Sequence, residues 1–139
     1  MVDSQTYEVL DGYLYTKDHE WIGDSRKSSF LVGITDYAAK MLNDIVYVTL
    51  PKEGTFLHQR DVYGQVESVK TVSDMYMPVS GKIIRTNSKL GQTPELVSNA
   101  PYTDGWMLEI SSEDFSTESK ELLNSAAYRK FIDTLKETD

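Results

Sequence analysis

A pattern of turn residues and apolar pairs occurs twice in this chain, and it restricts the possible folds more than any other feature of the sequence. Residues 51–57 and 78–84 both read Pro-x-x-Gly-x-apolar-apolar, and the two copies are 27 residues apart. A Gly-Gln pair follows Gly54 and Gly81 at the same distance of ten residues. Two copies are too few for a solenoid, and Gly and Pro also coincide by chance. A genuine repeat would favour a pseudo-symmetric sandwich built from two similar β units.

Short β-prone runs separated by turn residues fill the middle of the chain. The runs that we predict as strands are residues 30–34, 45–50, 62–69, 75–77, 82–85 and 105–110. Alternation gives three of them an apolar face: Phe30, Val32 and Ile34; Val46, Val48 and Leu50; and Trp106, Leu108 and Ile110. Strands this short and this closely spaced are typical of a small β sandwich or barrel.

Two segments show helical rather than β features. Thr35 is a candidate N-cap for a short helix over residues 38–42, which ends at Asn43-Asp44 because Asn tolerates a left-handed backbone. Residues 117–137 contain neither Gly nor Pro, and their apolar residues recur at helical spacing. These residues are Leu122, Leu123, Ala126, Ala127, Phe131 and Leu135. Either Asn124 caps the second of two helices, or the segment is one continuous helix.

Together these elements predict a single, mostly β domain over residues 1–139. Its β core covers about residues 13–110, and a helical segment over about 113–137 packs on that core. The length of 139 residues is typical of one domain. No apolar run approaches the roughly 20 residues of a membrane span, and the N-terminal residues match neither an export nor an import signal. We therefore expect no membrane association.

Charge and cysteine content exclude several classes of function. Fourteen Lys and Arg residues against 22 Asp and Glu residues give a net charge of −8, which argues against nucleic-acid binding. The acidity suits partners with basic docking surfaces, or it only keeps a small protein soluble. The chain has no Cys, which excludes disulfides, thiolate catalysis and Cys-ligated zinc. No Ser/His/Asp constellation or metal-ligand spacing stands out, so we predict neither catalytic residues nor a metal site.

Lys70 lies between two β-prone runs, which places it at or near the tip of a hairpin. An amine exposed there is a poor catalyst, because catalytic amines are normally desolvated. It is well placed for modification by another enzyme, which must reach both the backbone and the amine. The residues alone leave open that Lys70 is an ordinary surface lysine.

Six segments of the chain, in order, resemble the glycine cleavage system H protein family. They are residues 15–21, which contain His-Glu-Trp, and residues 32–38, 44–51, 64–81, 90–97 and 99–107. The segment 64–81 resembles the lipoyl-attachment hairpin of that family, and the resemblance extends from about Tyr13 to Ile110. Biotin carriers share the fold, but their acceptor lysine usually lies between two Met residues. Here Val69 and Thr71 flank Lys70, which argues against biotin.

The resemblance implies a barrel-sandwich hybrid fold of the biotinyl/lipoyl-carrier type and a role as a carrier rather than an enzyme. Lipoic acid would be joined to Lys70 through an amide by a lipoate ligase or lipoyl transferase. The arm would take an aminomethyl group from a pyridoxal-phosphate-dependent glycine decarboxylase to a tetrahydrofolate-dependent aminomethyltransferase. Dihydrolipoamide dehydrogenase would then reoxidise it.

Two alternatives to glycine cleavage stay open. One is a lipoyl depot that passes lipoyl groups to 2-oxoacid dehydrogenases, and the other is a binding module that has lost modification. A carrier that visits several enzymes is expected to be a monomer. We expect a prokaryotic cytoplasmic protein, with the mitochondrial matrix after transit-peptide removal as the alternative.

The resemblance also implies which side chains surround the loaded arm. Glu20 and Asp74 would line a cleft that holds the cationic aminomethyl group, with Asp18 as a weaker candidate. Without that role, Glu20 would be a solvated acid and Asp74 a turn former. Glu67, three residues before Lys70, would face outward and be recognised by the modifying enzyme. For His19 and Trp21 we favour packing.

The chain departs from the family pattern at a few positions. Asn43 stands where Gly is common, and Met77 precedes Pro78 where a smaller residue is usual. Tyr37 occupies a position that holds His in some relatives, so we assign it no acid-base role. The segment from Gly23 to Ser29 is expected to be a variable loop.

Overall fold

A computed structural model of the chain describes residues 7–25 and 28–137, and two antiparallel sheets dominate them. The strands are β1 Leu14–Tyr15, β2 Glu20–Asp24, β3 Phe30–Ile34, β4 Ile45–Thr49, β5 Phe56–Leu57, β6 Val62–Ser68, β7 Val72–Tyr76, β8 Gly81–Thr86 and β9 Leu108–Ser111. One sheet has six strands in the order β1-β2-β3-β9-β8-β5, and the other has three in the order β4-β6-β7. The predicted β sandwich is thereby confirmed.

Helices occupy the connections and the C-terminal segment. They are α1 Asp36–Leu42, α2 Leu96–Asn99, α3 Phe115–Glu118 and α4 Ser125–Glu137, with 3-10 turns at Ser88–Gly91 and Ser119–Glu121. Thr35 caps α1 as predicted, since its Oγ1 accepts a hydrogen bond from the Ala38 backbone N–H at 3.2 Å. Asn43 follows α1 with φ 63° but ψ −139°. Its φ is positive as expected, but this ψ lies outside the left-handed helical region and is a conformation that glycine adopts most easily.

The space between the sheets is filled by apolar side chains that alternate along the strands. Val32 and Ile34 of β3, Val66 of β6, Ile83 of β8 and Ile110 of β9 are each at most 2% exposed and belong to one cluster. Burial of a side chain of this size contributes about 1.5–3 kcal/mol. The alternation seen in the sequence is therefore the source of the core.

A bulge in β4 overturns the predicted face of that strand. The pairing with β6 shifts between Ile45 and Tyr47, so strict alternation is interrupted. As a result Val46 is 49% exposed while Ile45 and Val48 are buried. The prediction that Val46 and Val48 share a face was wrong. The bulge arises from pairing with β6, and alternation along one strand cannot show it.

Other predicted boundaries shift as well. β9 begins at Leu108, so Trp106 precedes the strand, where the Arg85 guanidinium lies over its ring at 4.6 Å. β7 begins at Val72, earlier than predicted, because it pairs with β6 along its whole length. Gly23 belongs to β2 rather than to the expected loop. Residues 26–27 of that loop lie outside the described residues, as do 1–6 and 138–139 of the predicted domain.

The two copies of the repeat form neighbouring strands. The apolar pair of the first copy forms β5, which pairs antiparallel with β8 of the second copy. The glycines differ in their local roles. Gly54 adopts a positive φ of 90°, whereas Gly81 lies where a Cβ atom would meet the Ser111 carbonyl oxygen at 2.6 Å. The glycine at the same position of the repeat therefore forms a turn in the first copy and allows close strand packing in the second.

The C-terminal segment contains separate helices, as in the first of the two predicted alternatives. Asn124 caps α4, since its Oδ1 accepts a hydrogen bond from the Ala127 backbone N–H at 2.8 Å. Leu123 is extended and exchanges two backbone hydrogen bonds of 2.8 Å with Tyr15. The buried face of α4 consists of Tyr128 and Ile132, one helical turn apart.

This finding corrects part of the predicted helical face. Leu122 has an extended backbone, and Leu123 pairs with β1, so neither belongs to a helix. Ala126 is exposed. Tyr128 and Ile132 join Tyr15, Trp21 and other residues in a second cluster that holds α4 against the β1–β2 end of the six-stranded sheet. Pairing with a distant strand, rather than local helical spacing, decides the conformation of this segment.

Candidate functional site

Lys70 lies at the exposed tip of the β6–β7 hairpin. The three residues between the strands are Val69, Lys70 and Thr71. The Ser68 backbone N–H donates to the Thr71 carbonyl oxygen at 2.8 Å, and the Thr71 N–H donates to Ser68 Oγ at 3.2 Å. The Val69 N–H donates to the Asp44 carbonyl oxygen at 3.0 Å, which ties the tip to the turn after α1. The backbone is thus held on both sides of Lys70 while its side chain faces solvent.

Glu67 faces outward, as alternation predicts. It pairs with Tyr47 on one side and Val72 on the other, and all three are exposed. Its sequence neighbours Val66 and Ser68 are buried. An acid is therefore presented on the open face of the three-stranded sheet, close to the lysine.

Glu20 is 1% exposed, so the reading of this residue as a solvated acid is wrong. Thr16 Oγ1 donates to Glu20 Oε1 at 2.6 Å, and the Tyr76 backbone N–H donates to Glu20 Oε2 at 3.2 Å. Burial raises the pKa of Glu20 to about 7, and the two hydrogen bonds moderate this rise. The carboxyl group lines a cleft of about 270 Å³ together with Asp18, Arg60 and Tyr76.

Asp74 is exposed on β7 and accepts a hydrogen bond from Gln65 Nε2 at 2.9 Å. It lies within a strand, so it is not a turn former. It lines a second cleft, of about 150 Å³, together with Asp18, His19 and Tyr37. Asp18 therefore borders the clefts of both Glu20 and Asp74.

A third cleft, of about 120 Å³, lies beside Lys70 and is lined by residues 42–44, Val69 and Lys70. Leu42 lines both this third cleft and the cleft of Asp74. Asp18 lines both the cleft of Asp74 and the cleft of Glu20. We call these three adjoining clefts the carrier groove. Residues 73–76 of β7 line the clefts of Asp74 and Glu20, and a strand advances roughly 3.3 Å per residue. The structure thus brings the predicted residues Lys70, Asp74 and Glu20 along one path, with Glu67 outside it.

Trp21 has the packing role that the sequence predicted. It is 1% exposed, and its Nε1–H donates to the Pro101 carbonyl oxygen at 3.1 Å. Its indole ring lies over Gly33, where a Cβ atom would meet the ring at 2.8 Å. Trp21 therefore requires a glycine opposite it on β3.

His19 packs against aromatic rings and also borders the groove. Its ring centroid is 4.6 Å from that of Tyr37, and its Nδ1 is 2.8 Å from the Tyr128 hydroxyl. Burial lowers the pKa of His19 to about 4.

Sequence reasoning missed Tyr128, Thr16 and Tyr76 as supports of the site. The spacing of Tyr128 and Ile132 on α4 was the available signal for the first of these.

Residues 7–25 and 28–137 contain no group of three or more His, Cys, Asp or Glu side chains that could hold a metal ion. Over the same ranges, no helix is both long and apolar enough to cross a bilayer.

An antiparallel β sandwich that presents a lysine on a hairpin tip has the architecture of a β-sandwich carrier protein. Residues 13–135 match the family model described as Glycine cleavage H-protein. The chain belongs to this family.

Relatives and a solved structure agree with this assignment. The chain is 42% identical over 135 residues to a probable glycine cleavage system H protein of Pyrococcus furiosus, with 97% of this chain and 100% of the relative covered. It is 48% identical over 121 residues to the glycine cleavage system H protein of Salinibacter ruber, covering 87% and 96%. A crystal structure of a glycine cleavage system H protein from Mycobacterium marinum superimposes with a TM-score of 0.78 at 34% identity, covering 88% and 97%.

The raised pKa of Glu20 predicts a pH-dependent stability. A carboxyl whose folded pKa is about 7, against an ordinary 4.5, stabilises the fold when protonated, and this contribution is lost as the pH rises through 7. Glu20→Gln keeps a neutral side chain at every pH. Between pH 5 and 8, the unmodified wild type should therefore lose roughly 2–3 kcal/mol of unfolding free energy relative to Glu20→Gln.

Urea unfolding at several pH values measures this difference. The titration of His19 affects both proteins and cancels in the comparison. The exposed Glu67→Gln variant is the control and should follow the wild type at each pH. Parallel stability curves for wild type and Glu20→Gln would show that Glu20 has an ordinary pKa.

Proposed function

We propose that this chain is the lipoylated carrier of glycine cleavage, with the lipoyl group on Lys70 and the carrier groove as the shelter of its cargo. The observation that carries the proposal is the position of Lys70 at one end of a groove whose other end holds a buried carboxyl group. The names of the relatives support the glycine cleavage role and do not favour the lipoyl depot.

The residues around Lys70 fit an attachment site. An enzyme that forms an amide on a lysine must reach the amine and the backbone around it. The hairpin tip offers both, because Val69, Lys70 and Thr71 are all exposed. The hydrogen bonds between Ser68 and Thr71 hold the tip in one shape, so little conformational entropy has to be lost when the enzyme binds.

The groove fits a hydrocarbon arm with a cationic end. Met41, Leu42 and Met75 give its middle an apolar lining, while Asp18 and Asp74 border the same cleft with carboxylates. When attached, lipoic acid supplies the disulfide and dithiol chemistry that a chain without Cys lacks. The groove residues bind and shelter the arm, and we assign them no catalytic step.

Glu20 is suited to hold an amine because its charge responds to a cation. In the empty groove, burial favours its neutral form. A cationic amine beside the carboxyl favours the charged form, and the resulting pair is shielded from water. Thr16 and Tyr76 continue to donate hydrogen bonds to the charged oxygens. Asp74 contributes less than Glu20 to binding of the amine, because Asp74 is exposed and its charge is screened by solvent.

The proposed partners follow from this role. They are a glycine decarboxylase, an aminomethyltransferase, dihydrolipoamide dehydrogenase and a lipoate ligase or lipoyl transferase. The net charge of −8 favours encounter with basic docking surfaces on these enzymes. The relatives from Pyrococcus furiosus and Salinibacter ruber are prokaryotic proteins, which supports a cytoplasmic location. A carrier that visits several enzymes in turn is expected to act as a monomer.

Lys70 is predicted to be the single lipoylation site. Co-expression with a lipoate ligase should add one lipoyl mass to the wild type and none to Lys70→Arg, as measured by intact-protein mass spectrometry. Lys82→Arg is the matched control, since Lys82 is an exposed lysine on β8, and this variant should gain one lipoyl mass. A modified Lys70→Arg protein would refute the assignment.

Glu67 is predicted to be recognised by the modifying enzyme. Glu67→Ala should slow lipoylation in a timed ligase assay and leave the melting temperature nearly unchanged, as expected for an exposed residue. Glu95→Ala, which removes an exposed acid from the start of α2, should be modified at the wild-type rate. Equal lipoylation rates for Glu67→Ala and Glu95→Ala would mean that the modifying enzyme does not recognise Glu67.

Glu20 and Asp74 are predicted to retain the aminomethyl group after loading. The experiment loads each lipoylated protein with the decarboxylase, removes the enzyme and times the release of formaldehyde and ammonia. A charge-assisted hydrogen bond contributes about 1.5–3 kcal/mol, so Glu20→Ala should accelerate release by about one order of magnitude or more. Asp74→Ala should show a smaller acceleration, and Glu113→Gln, an exposed acid away from the groove, none. Identical release from all proteins would mean that these acids do not shelter the cargo.

A further inference from the structure

His19 is held in a backbone conformation that few non-glycine residues adopt. Its φ is 70°, in the left-handed region. Two backbone hydrogen bonds maintain it: the His19 N–H donates to the Thr16 carbonyl oxygen at 3.1 Å, and the Thr35 N–H donates to the His19 carbonyl oxygen at 2.9 Å. The turn therefore directs the imidazole between α4 and the middle of the carrier groove.

A chain of hydrogen bonds determines which ring nitrogen of His19 carries the proton. The Tyr128 hydroxyl lies 2.8 Å from His19 Nδ1 and 2.7 Å from Thr35 Oγ1. Thr35 is fully buried, and its Oγ1 already accepts from the Ala38 N–H. The Thr35 hydroxyl hydrogen then points to Tyr128, and the Tyr128 hydroxyl donates to Nδ1. The opposite direction would leave the Thr35 hydrogen without an acceptor among the described residues.

His19 Nδ1 is thus an acceptor, and the proton lies on Nε2. Nε2 lies on the other side of the ring from Tyr128, and His19 borders the cleft of Asp74. Within residues 7–25 and 28–137, Nε2 has no hydrogen-bond partner, and it is not fully buried. The groove therefore has an accessible N–H donor in its middle. Burial lowers the pKa of His19, so this donor is uncharged at neutral pH.

We propose that His19 is a positioning residue that donates its Nε2–H to the sulfur end of the lipoyl arm. This inference rests on the proposed function of the groove. Carboxylates accept hydrogen bonds and attract cations, so Asp18, Asp74 and Glu20 are suited to the amine of the cargo. Sulfur is a weak acceptor and requires a donor. A neutral imidazole supplies that donor without repelling the cationic cargo beside it.

The proton position is tested first, on the unmodified protein. Two-bond proton–nitrogen correlation spectra of nitrogen-15-labelled protein separate the two neutral tautomers of His19. We expect Nε2–H in the wild type, with Nδ1 unprotonated, and a change of the Nδ1 shift in Tyr128→Phe. A His19 that carries its proton on Nδ1 overturns the proposal, whether or not Lys70 is ever lipoylated.

The contact with the arm is tested next, on protein whose lipoylation has been verified by mass. The Nε2 resonance of His19 should shift when the arm is loaded, and it should not shift in Lys70→Arg after the same treatment. An unchanged resonance in loaded wild type overturns the proposal. A protein that gains no lipoyl mass would instead refute the proposed function, so the two failures are distinguishable.

The third readout is retention of the cargo. Asn tolerates a positive φ, so His19→Asn removes the Nε2–H with little backbone strain. Its cargo release should be about three- to tenfold faster than that of the wild type. Tyr128→Phe keeps the imidazole but removes the hydroxyl that fixes its proton position, so it should lower the melting temperature and accelerate release less than His19→Asn. His58→Asn, which replaces the exposed second histidine, should behave as the wild type. Equal acceleration by His19→Asn and Tyr128→Phe would show a purely structural role and overturn the proposal.

Discussion

The carboxyl group of Glu20 connects the two sheets of the sandwich at the floor of the carrier groove. Glu20 begins β2 of the six-stranded sheet, and it accepts a hydrogen bond from the backbone of Tyr76, the last residue of β7 in the three-stranded sheet. Burial of a carboxyl group is unfavourable, and the bonds from Thr16 and Tyr76 offset only part of that cost. The raised pKa of Glu20 is the consequence. The same interaction that joins the sheets therefore fixes a buried carboxyl group that is protonated more readily than an ordinary one.

The turn that precedes β2 supports this carboxyl and directs its neighbours. Thr16 Oγ1 donates to the Glu20 side chain and accepts from the backbone N–H groups of Asp18 and Glu20. The turn is thereby closed, and Asp18, His19 and Glu20 all border the groove. Helix α4 lies behind the turn, and its Tyr128 bonds to His19. The C-terminal helix thus supports the groove in addition to covering an aromatic cluster.

The hairpin and the groove divide the functions of a carrier between two ends of one strand. Lys70 is exposed at the hairpin tip, just before β7 begins. Along β7, Asp74 and Met75 offer a charged and an apolar contact, and at its end Tyr76 meets Glu20. Because strand geometry is regular, the separation of these positions follows from the number of residues between them. A flexible loop in place of β7 would hold neither end in a defined position.

Much of the fold could be predicted because it depends on residues that are neighbours in the chain. The cap at Thr35, the start of α4 after Asn124 and the exposure of Glu67 follow from spacing over a few residues. The hairpin around Lys70 follows in the same way, from two β-prone runs on either side of it.

Only the tertiary structure decided what depends on contacts between distant segments. The bulge that exposes Val46 requires β6 as a partner, and the extended backbone of Leu123 requires β1. The burial of Glu20 and the proton position on His19 depend on Tyr76 and Tyr128, which are 56 and 109 residues away in the chain. The sequence by itself determined which groups this protein carries and the local shape of each segment. Their solvation, charge and hydrogen-bond partners were decided when distant segments packed together, because burial depends on everything that surrounds a group.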